Sequence, residues 1–237
     1  MAEEFKEVPV VKAWDEGPRL RALLLDLAGT GFRAAFTAPG QYLSVQPLVA
    51  ASDSKPAFMA MASGPGNEQV ELLVQRTGTG TVADQIAGCN PGDRLSINAP
   101  AGKGFPVEVA RGGDLLLLAG GTGISAIRSV VEYVAGKRAE YGRVMLAIGA
   151  RAEDDLAYRH LFDQWRGLAI EVEPSLSRPA SGKWTGRVGY VTGMFRDLGL
   201  DASRTRVFMA GGREFQAASR EALAALGIGE ERVFKNY

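Results

Sequence analysis

Residues 115–119 read Leu-Leu-Leu-Leu-Ala and run straight into Gly120-Gly121-Thr122-Gly123, followed by Ile124-Ser-Ala-Ile-Arg128. A short apolar run, a glycine-rich turn and a helix start, in that order, suit a diphosphate. Glycines let the backbone approach a ligand closely, and a helix N-terminus offers N–H groups with positive dipole character. The placement between strand and helix raises this turn above an ordinary tight turn. The geometry recurs twice. Residues 207–215 read Val-Phe-Met-Ala-Gly-Gly-Arg-Glu-Phe, and residues 144–148 lead into Gly149-Ala150-Arg151. The expected nucleotide contacts are therefore Gly121, Thr122, Gly123, Ile124, Gly149, Arg151, Ala210, Gly211 and Gly212. Ser177-Arg178 follow a third apolar run, with Lys183 nearby. A hydroxyl beside a forked guanidinium suits a 2′-phosphate. A polar turn before Pro179 would also account for the pair, as a solvated loop would for Arg151.

Other chemistries are poorly supplied. One cysteine, Cys89, excludes an intrachain disulfide framework and a cysteine-ligated cluster held by this chain alone. One histidine, His160, argues against a zinc site and leaves no other histidine for a catalytic triad. Both read most simply as structural residues, Cys89 in a turn and His160 on an amphipathic helix; Trp14, Trp165 and Trp184 read as packing residues. The 27 basic and 27 acidic residues cancel, which argues against nucleic acid as a partner. The apolar runs fall short of the ~18 residues that span a bilayer. An acidic start without an apolar signal core points to the cytoplasm.

The elements that must position the glycine-rich turns fall in two grammars. Residues 20–27, 41–45, 58–62, 70–75 and 94–98 read as short strands between turns, with residues 81–87 as one or two helical turns capped by Thr81. That is the pattern of a small antiparallel barrel. From residue 114 onward short apolar strands (114–119, 144–148, 169–175, 207–210) alternate with helices (125–135, 154–165, 214–226). Such alternation predicts a parallel sheet covered on both faces. The expected division is 1–111 for the barrel and 112–237 for a Rossmann-like α/β domain. The glycines number 30 in all, close to twice the usual ~7%.

Over nearly its whole length the chain resembles the ferredoxin–NADP reductase superfamily, most closely its stand-alone plant and bacterial members. The resemblance rests on Pro39-Gly40-Gln41-Tyr42, residues 57–63, Gly78-Thr79-Gly80-Thr81-Val82, Pro91-Gly92-Asp93, residues 101–105, the Gly120 turn, Gly149-Ala150-Arg151 and Ala210-Gly211-Gly212. It implies a flavin on the barrel, FAD in preference to FMN, and NADP or NAD on the second domain. The implied flavin contacts are Met59, Ala60, Met61 and Ala62, then Val74, Gln75 and Arg76. The pyrophosphate would lie on Gly78, Gly80, Thr81 and Val82, and Tyr237 would stack on the ring. It also implies hydride transfer from nicotinamide to flavin and a separate electron acceptor, such as a ferredoxin-like protein, a quinone or free flavin. Departures are visible: the family's arginine, tyrosine and serine stand as Ala57, Met59 and Ala60, and its nicotinamide-side cysteine as Ala210. These leave two other readings open: a flavin-binding scaffold or regulatory protein with little reductase activity, and an electron-transfer subunit of a larger complex.

Overall fold

Alternate residues of Asp114–Gly120 enter different cores, and this division organises the second half of the molecule. In a computed structural model describing residues 4–48, 55–180 and 182–236, Leu115, Leu117 and Ala119 pack on one side of the sheet. Leu116 and Leu118 pack on the other. A strand buried on both faces needs no polar side, hence its unbroken apolar run.

The first sheet comprises β1 (Lys6–Gly17), β2 (Leu20–Asp26), β3 (Tyr42–Pro47), β4 (Ala57–Ala60), β5 (Gln69–Gln75) and β6 (Arg94–Ile97), in the order β4-β3-β6-β1-β2-β5. All pairings are antiparallel. Its two edges meet where Met61 bridges Leu72 and the Ala62 N–H donates to the Glu71 carbonyl at 2.7 Å. The sheet is therefore closed into a barrel at this point. Val8, Val10, Leu23, Leu25, Leu43, Met61, Leu72 and Ile97 fill it. The short helix α1 (Val82–Ala87) follows β5, and Ile86 and Ala87 bury against the same core.

β1 is the longest strand of the six and escapes a reading by period. Its register shifts between Val10 and Lys12 and again between Asp15 and Gly17, so inward positions do not recur every second residue.

The second sheet is parallel, in the order β10-β9-β8-β7-β11-β12, from β7 (Asp114–Gly120), β8 (Val144–Ala150), β9 (Ile170–Leu176), β10 (Arg187–Val188), β11 (Thr205–Ala210) and β12 (Val233–Phe234). Helix α2 (Ile124–Ala135) covers one face. Residues 191–198 and α4 (Arg213–Ala224) cover the other.

The helix expected over 154–165 is corrected to α3 (Phe162–Gly167), preceded by single turns at Glu153–Asp155 and Arg159–Leu161. Tyr158 is left-handed (φ 60°) and cannot continue a helix. Its ring is buried and its N–H donates to Glu16 on β1 at 2.8 Å. Tertiary contacts thus override the local period. His160 lies exposed in one of those turns, 3.6 Å from Glu16. Burial pushes the Cys89 thiol up, with the Asp93 charge adding to the shift, the reverse of a reactive thiolate. Among the described residues no helix is long and apolar enough to cross a membrane, and no cluster of His, Cys, Asp or Glu could hold a metal ion.

Candidate active site

One face of α2 docks on the barrel wall. Ser125 and Ser129, one turn apart, donate from Oγ to the carbonyls of Ala60 and Ser63, each at 2.7 Å. Glu132 accepts the Gly64 N–H at 2.6 Å. Between them Arg128 lies 2.5 Å from Glu71 of β5 and 3.1 Å from Glu132, with its guanidinium 4.6 Å from the Tyr158 ring centroid. Farther along, Phe105 stacks on Phe208 at 5.2 Å, and Asn236 Nδ2 donates to the Gly40 carbonyl at 2.8 Å. These contacts hold the outer face of β4 opposite the glycine-rich turn.

Two clefts open along this junction. The first, about 590 Å³, is walled by Arg19, Leu20 and Gln75 of the barrel. Facing them are Gly120, Gly121, Thr122, Gly149, Ala150, Arg151 and Ser177, at the C-terminal ends of β7, β8 and β9. The second, about 460 Å³, has Tyr42, Phe58 and Ala60 on the barrel side and Thr122, Gly123, Ala126, Ala210, Gly211 and Gly212 opposite, with Asn236 also lining it. Gly120 and Thr122 line both clefts, so the two meet there.

Close approach explains the glycines of the turn. A Cβ on Gly123 would lie 2.3 Å from the Ala210 carbonyl oxygen, and one on Gly120 would lie 2.7 Å from the Phe215 ring. Gly121 has free space around it and a left-handed φ of 56°, which glycine adopts without strain. The nucleotide-side residues read from sequence are thus gathered on one edge. Gly121, Thr122, Gly149, Arg151 and Ser177 line the first cleft, and Gly123, Ala210, Gly211 and Gly212 the second. Ile124 is instead buried in the core. Arg178 is exposed just beyond Ser177, with its N–H donating to the Arg151 carbonyl at 2.7 Å.

The flavin-side residues are only partly gathered. Met59 and Met61 turn into the barrel core, and Ala62 and Val74 are buried. The N–H groups of Met61 and Ala62 already donate to Gln41 and Glu71. Side chains alternate along β4, so Ala60 shares the outer face with Phe58 rather than with Met59. Phe58 is 72% exposed and meets Tyr42 edge-on at 5.6 Å. The aromatic ring presented to the cleft is therefore Phe58, one residue before the position expected. Gln75 lines the first cleft. Arg76 is engaged by Asp15 at 2.7 Å. Tyr237 lies outside the described residues.

The turn at Gly78, Gly80, Thr81 and Val82 holds an unexpected partner. Gly78 and Gly80 are left-handed (φ 72° and 75°), and Thr81 caps α1, which begins at Val82. The Asp84 carboxylate accepts from Thr77 N (2.5 Å) and Oγ1 (2.7 Å), Gly78 N (3.1 Å), Thr79 N (3.1 Å) and Thr81 N and Oγ1 (both 3.0 Å). These donors, foremost the Thr77 hydroxyl, hold its carboxyl well below the usual range. The signal in the sequence is an acidic residue three positions after a threonine cap, the spacing of a capping box. Sequence reasoning also missed Phe58, Tyr190 and Phe215 as cleft walls. It missed the Arg19–Asp155 ion pair at the rim as well.

A closed antiparallel barrel docked on a parallel sheet, with a glycine-rich turn at their junction, is a fold shared with solved reductase structures. Residues 117–221, a little under half of the chain, match the family model of the oxidoreductase NAD-binding domain. The chain is 29% identical over 212 residues to the fruit protein pKIWI502 of Actinidia deliciosa, covering 84% of this chain and 65% of that protein. To the gamma subunit of sulfhydrogenase 2 of Pyrococcus furiosus it is 31% identical over 167 residues, 65% of this chain and 56% of the subunit. The chain thus spans only 56–65% of the length of these relatives. Two solved structures share the fold. The CS-b5R domains of human Ncb5or in the NAD+ form give a TM-score of 0.85 at 19% identity, over 100% of this chain and 70% of that one. A ferredoxin NADP+ reductase from Neisseria gonorrhoeae with bound FAD and NADP gives 0.83 at 16%, over 98% and 97%.

Proposed function

We propose that this chain is a flavin-dependent oxidoreductase that takes electrons from NAD(P)H. In this reading residues 1–111 hold the flavin and residues 112–237 the nucleotide. The observation that carries it is the meeting of two clefts at Gly120 and Thr122, one walled by barrel aromatics and the other by the glycine-rich sheet edge. The Neisseria structure, with its bound FAD and NADP, supports two occupants for such a fold.

The residues fit a nicotinamide nucleotide in the first cleft. Gly121 and Thr122 bring the turn before α2 to the diphosphate, Gly123 lies where the turn faces the second cleft, and Arg151 supplies a cation. Ser177 and Arg178 take a 2′-phosphate, which favours NADPH over NADH. They also fit a flavin ring in the second: Phe58 and Tyr42 offer apolar faces, and Ala60 leaves room beside them. Tyr237 is assigned to the same ring as a stacking residue. Bound side by side, nicotinamide and flavin supply hydride transfer; the protein supplies proximity and orientation. No side chain need act as acid or base in such a transfer. Ala210 in place of the expected cysteine favours slow turnover.

The likeness to the sulfhydrogenase gamma subunit favours one refinement, that electrons leave to a partner subunit rather than to a diffusing acceptor. Steady-state oxidation of NADPH and NADH by the protein supplied with FAD, with ferricyanide as acceptor, tests the proposal. Flavin-dependent oxidation with a lower KM for NADPH supports it. No oxidation above the flavin-free rate overturns it.

A further inference from the structure

We infer that Asp84 acts as an internal stand-in for a phosphate, so that this protein grips flavin by its ring and discriminates poorly between FAD, FMN and riboflavin. The inference rests on the flavin reading above and sharpens it.

Loop 77–81 is the segment to which the family resemblance assigns the pyrophosphate. Its two left-handed glycines turn successive N–H groups to one side, the arrangement that binds anions. That concavity already holds one. Four backbone N–H groups and two hydroxyls converge on the Asp84 carboxylate at 2.5–3.1 Å. A diphosphate entering here would have to displace the carboxylate and strip it of all six donors. If the carboxylate stayed close by, the two would repel.

The nearby cations do not compensate. The position expected to carry an arginine is Ala57. Arg76, at the end of β5, is held by Asp15 at 2.7 Å and reaches the Pro18 carbonyl at 3.4 Å. Ring contacts, by contrast, are intact, since Phe58 stands exposed beside Tyr42 in the second cleft. A flavin without its adenylate loses little here, and it can exchange with the medium.

The test titrates riboflavin, FMN and FAD into the wild-type chain, Asp84→Ala and Asp84→Asn by flavin fluorescence. Thermal melting with and without inorganic pyrophosphate runs in parallel. Thr81 keeps its capping position in both variants, and asparagine preserves the side-chain shape if alanine loosens the loop. The wild-type Kd values for the three flavins are expected to agree within about threefold. Removing the carboxylate is expected to tighten FAD about tenfold, leave riboflavin unchanged and let pyrophosphate raise the Tm. A wild-type preference of about a hundredfold or more for FAD over riboflavin overturns the inference while leaving the flavin reading intact. So does weaker FAD binding by folded variants. Failure of all three proteins to bind any flavin overturns the flavin reading itself, and the inference with it.

Discussion

Arg128 of α2 and Glu71 of β5 meet at 2.5 Å across the junction of the two sheets, with side chains only 14% and 6% exposed. Neither charge has much water to fall back on, so each depends on the other. Replacing Arg128 by alanine strands a buried carboxylate and is expected to cost about 3–5 kcal/mol of stability. The double change Arg128→Ala with Glu71→Gln is expected to recover part of it. Urea denaturation of the single and double variants measures both.

Glu132, half-buried beside the same arginine, carries a carboxyl pushed above the ordinary value of 4.5. Burial outweighs the pull of Arg128 and the Gly64 N–H. A raised acid pKa means the folded state holds the proton more tightly than the unfolded chain. Stability should therefore fall as pH rises from the ordinary value through the raised one. Glu132→Gln is expected to flatten that part of the curve, as Tm measured across mildly acidic pH would report.

Gly123 and Gly121 are expected to respond differently to the same change. In Gly123→Ala the new methyl meets the Ala210 carbonyl at 2.3 Å, which forces β11 and α2 apart. The expected loss is about 3 kcal/mol or more, with nucleotide binding lost as well. Gly121→Ala meets no atom and pays only for its left-handed backbone, about 1–2 kcal/mol. Melting curves of the two variants separate steric from conformational cost.

Much of this arrangement was legible because it follows from local physics. The unbroken apolar run of β7 is that of a strand buried on both faces, and glycines at its end mark close backbone approach. What escaped was set by distant contacts. β1 was hidden by its register shifts, and the helix around Tyr158 was abolished by a bond to Glu16 far away in the chain. On β4 the motif alignment placed Met59 at the cleft. The pleat places Phe58 there, because a one-residue offset exchanges the faces of a strand. The carboxylate of Asp84 in the anion-binding loop could have been suspected from its capping-box spacing, but not the number of donors it gathers.

Phe58 gives a clean separation of binding from folding. Because the ring is 72% exposed, Phe58→Ala is expected to change stability by no more than about 0.5 kcal/mol. Loss of an aromatic face should weaken riboflavin binding about 3–10-fold. Fluorescence titration alongside a melting curve checks the pair of outcomes.

Just beyond the first cleft, Arg178→Ala is expected to lower kcat/KM for NADPH about 10-fold while leaving NADH within about twofold. Equal losses for both nucleotides would remove Arg178 from the 2′-phosphate.

The most direct measurement is an anaerobic single turnover, in which NADPH is mixed with the flavin-loaded protein and the flavin's visible absorbance is followed. The account expects bleaching whose rate saturates with NADPH and slows in Gly123→Ala. A protein that binds flavin yet is bleached by neither NADPH nor NADH would contradict it.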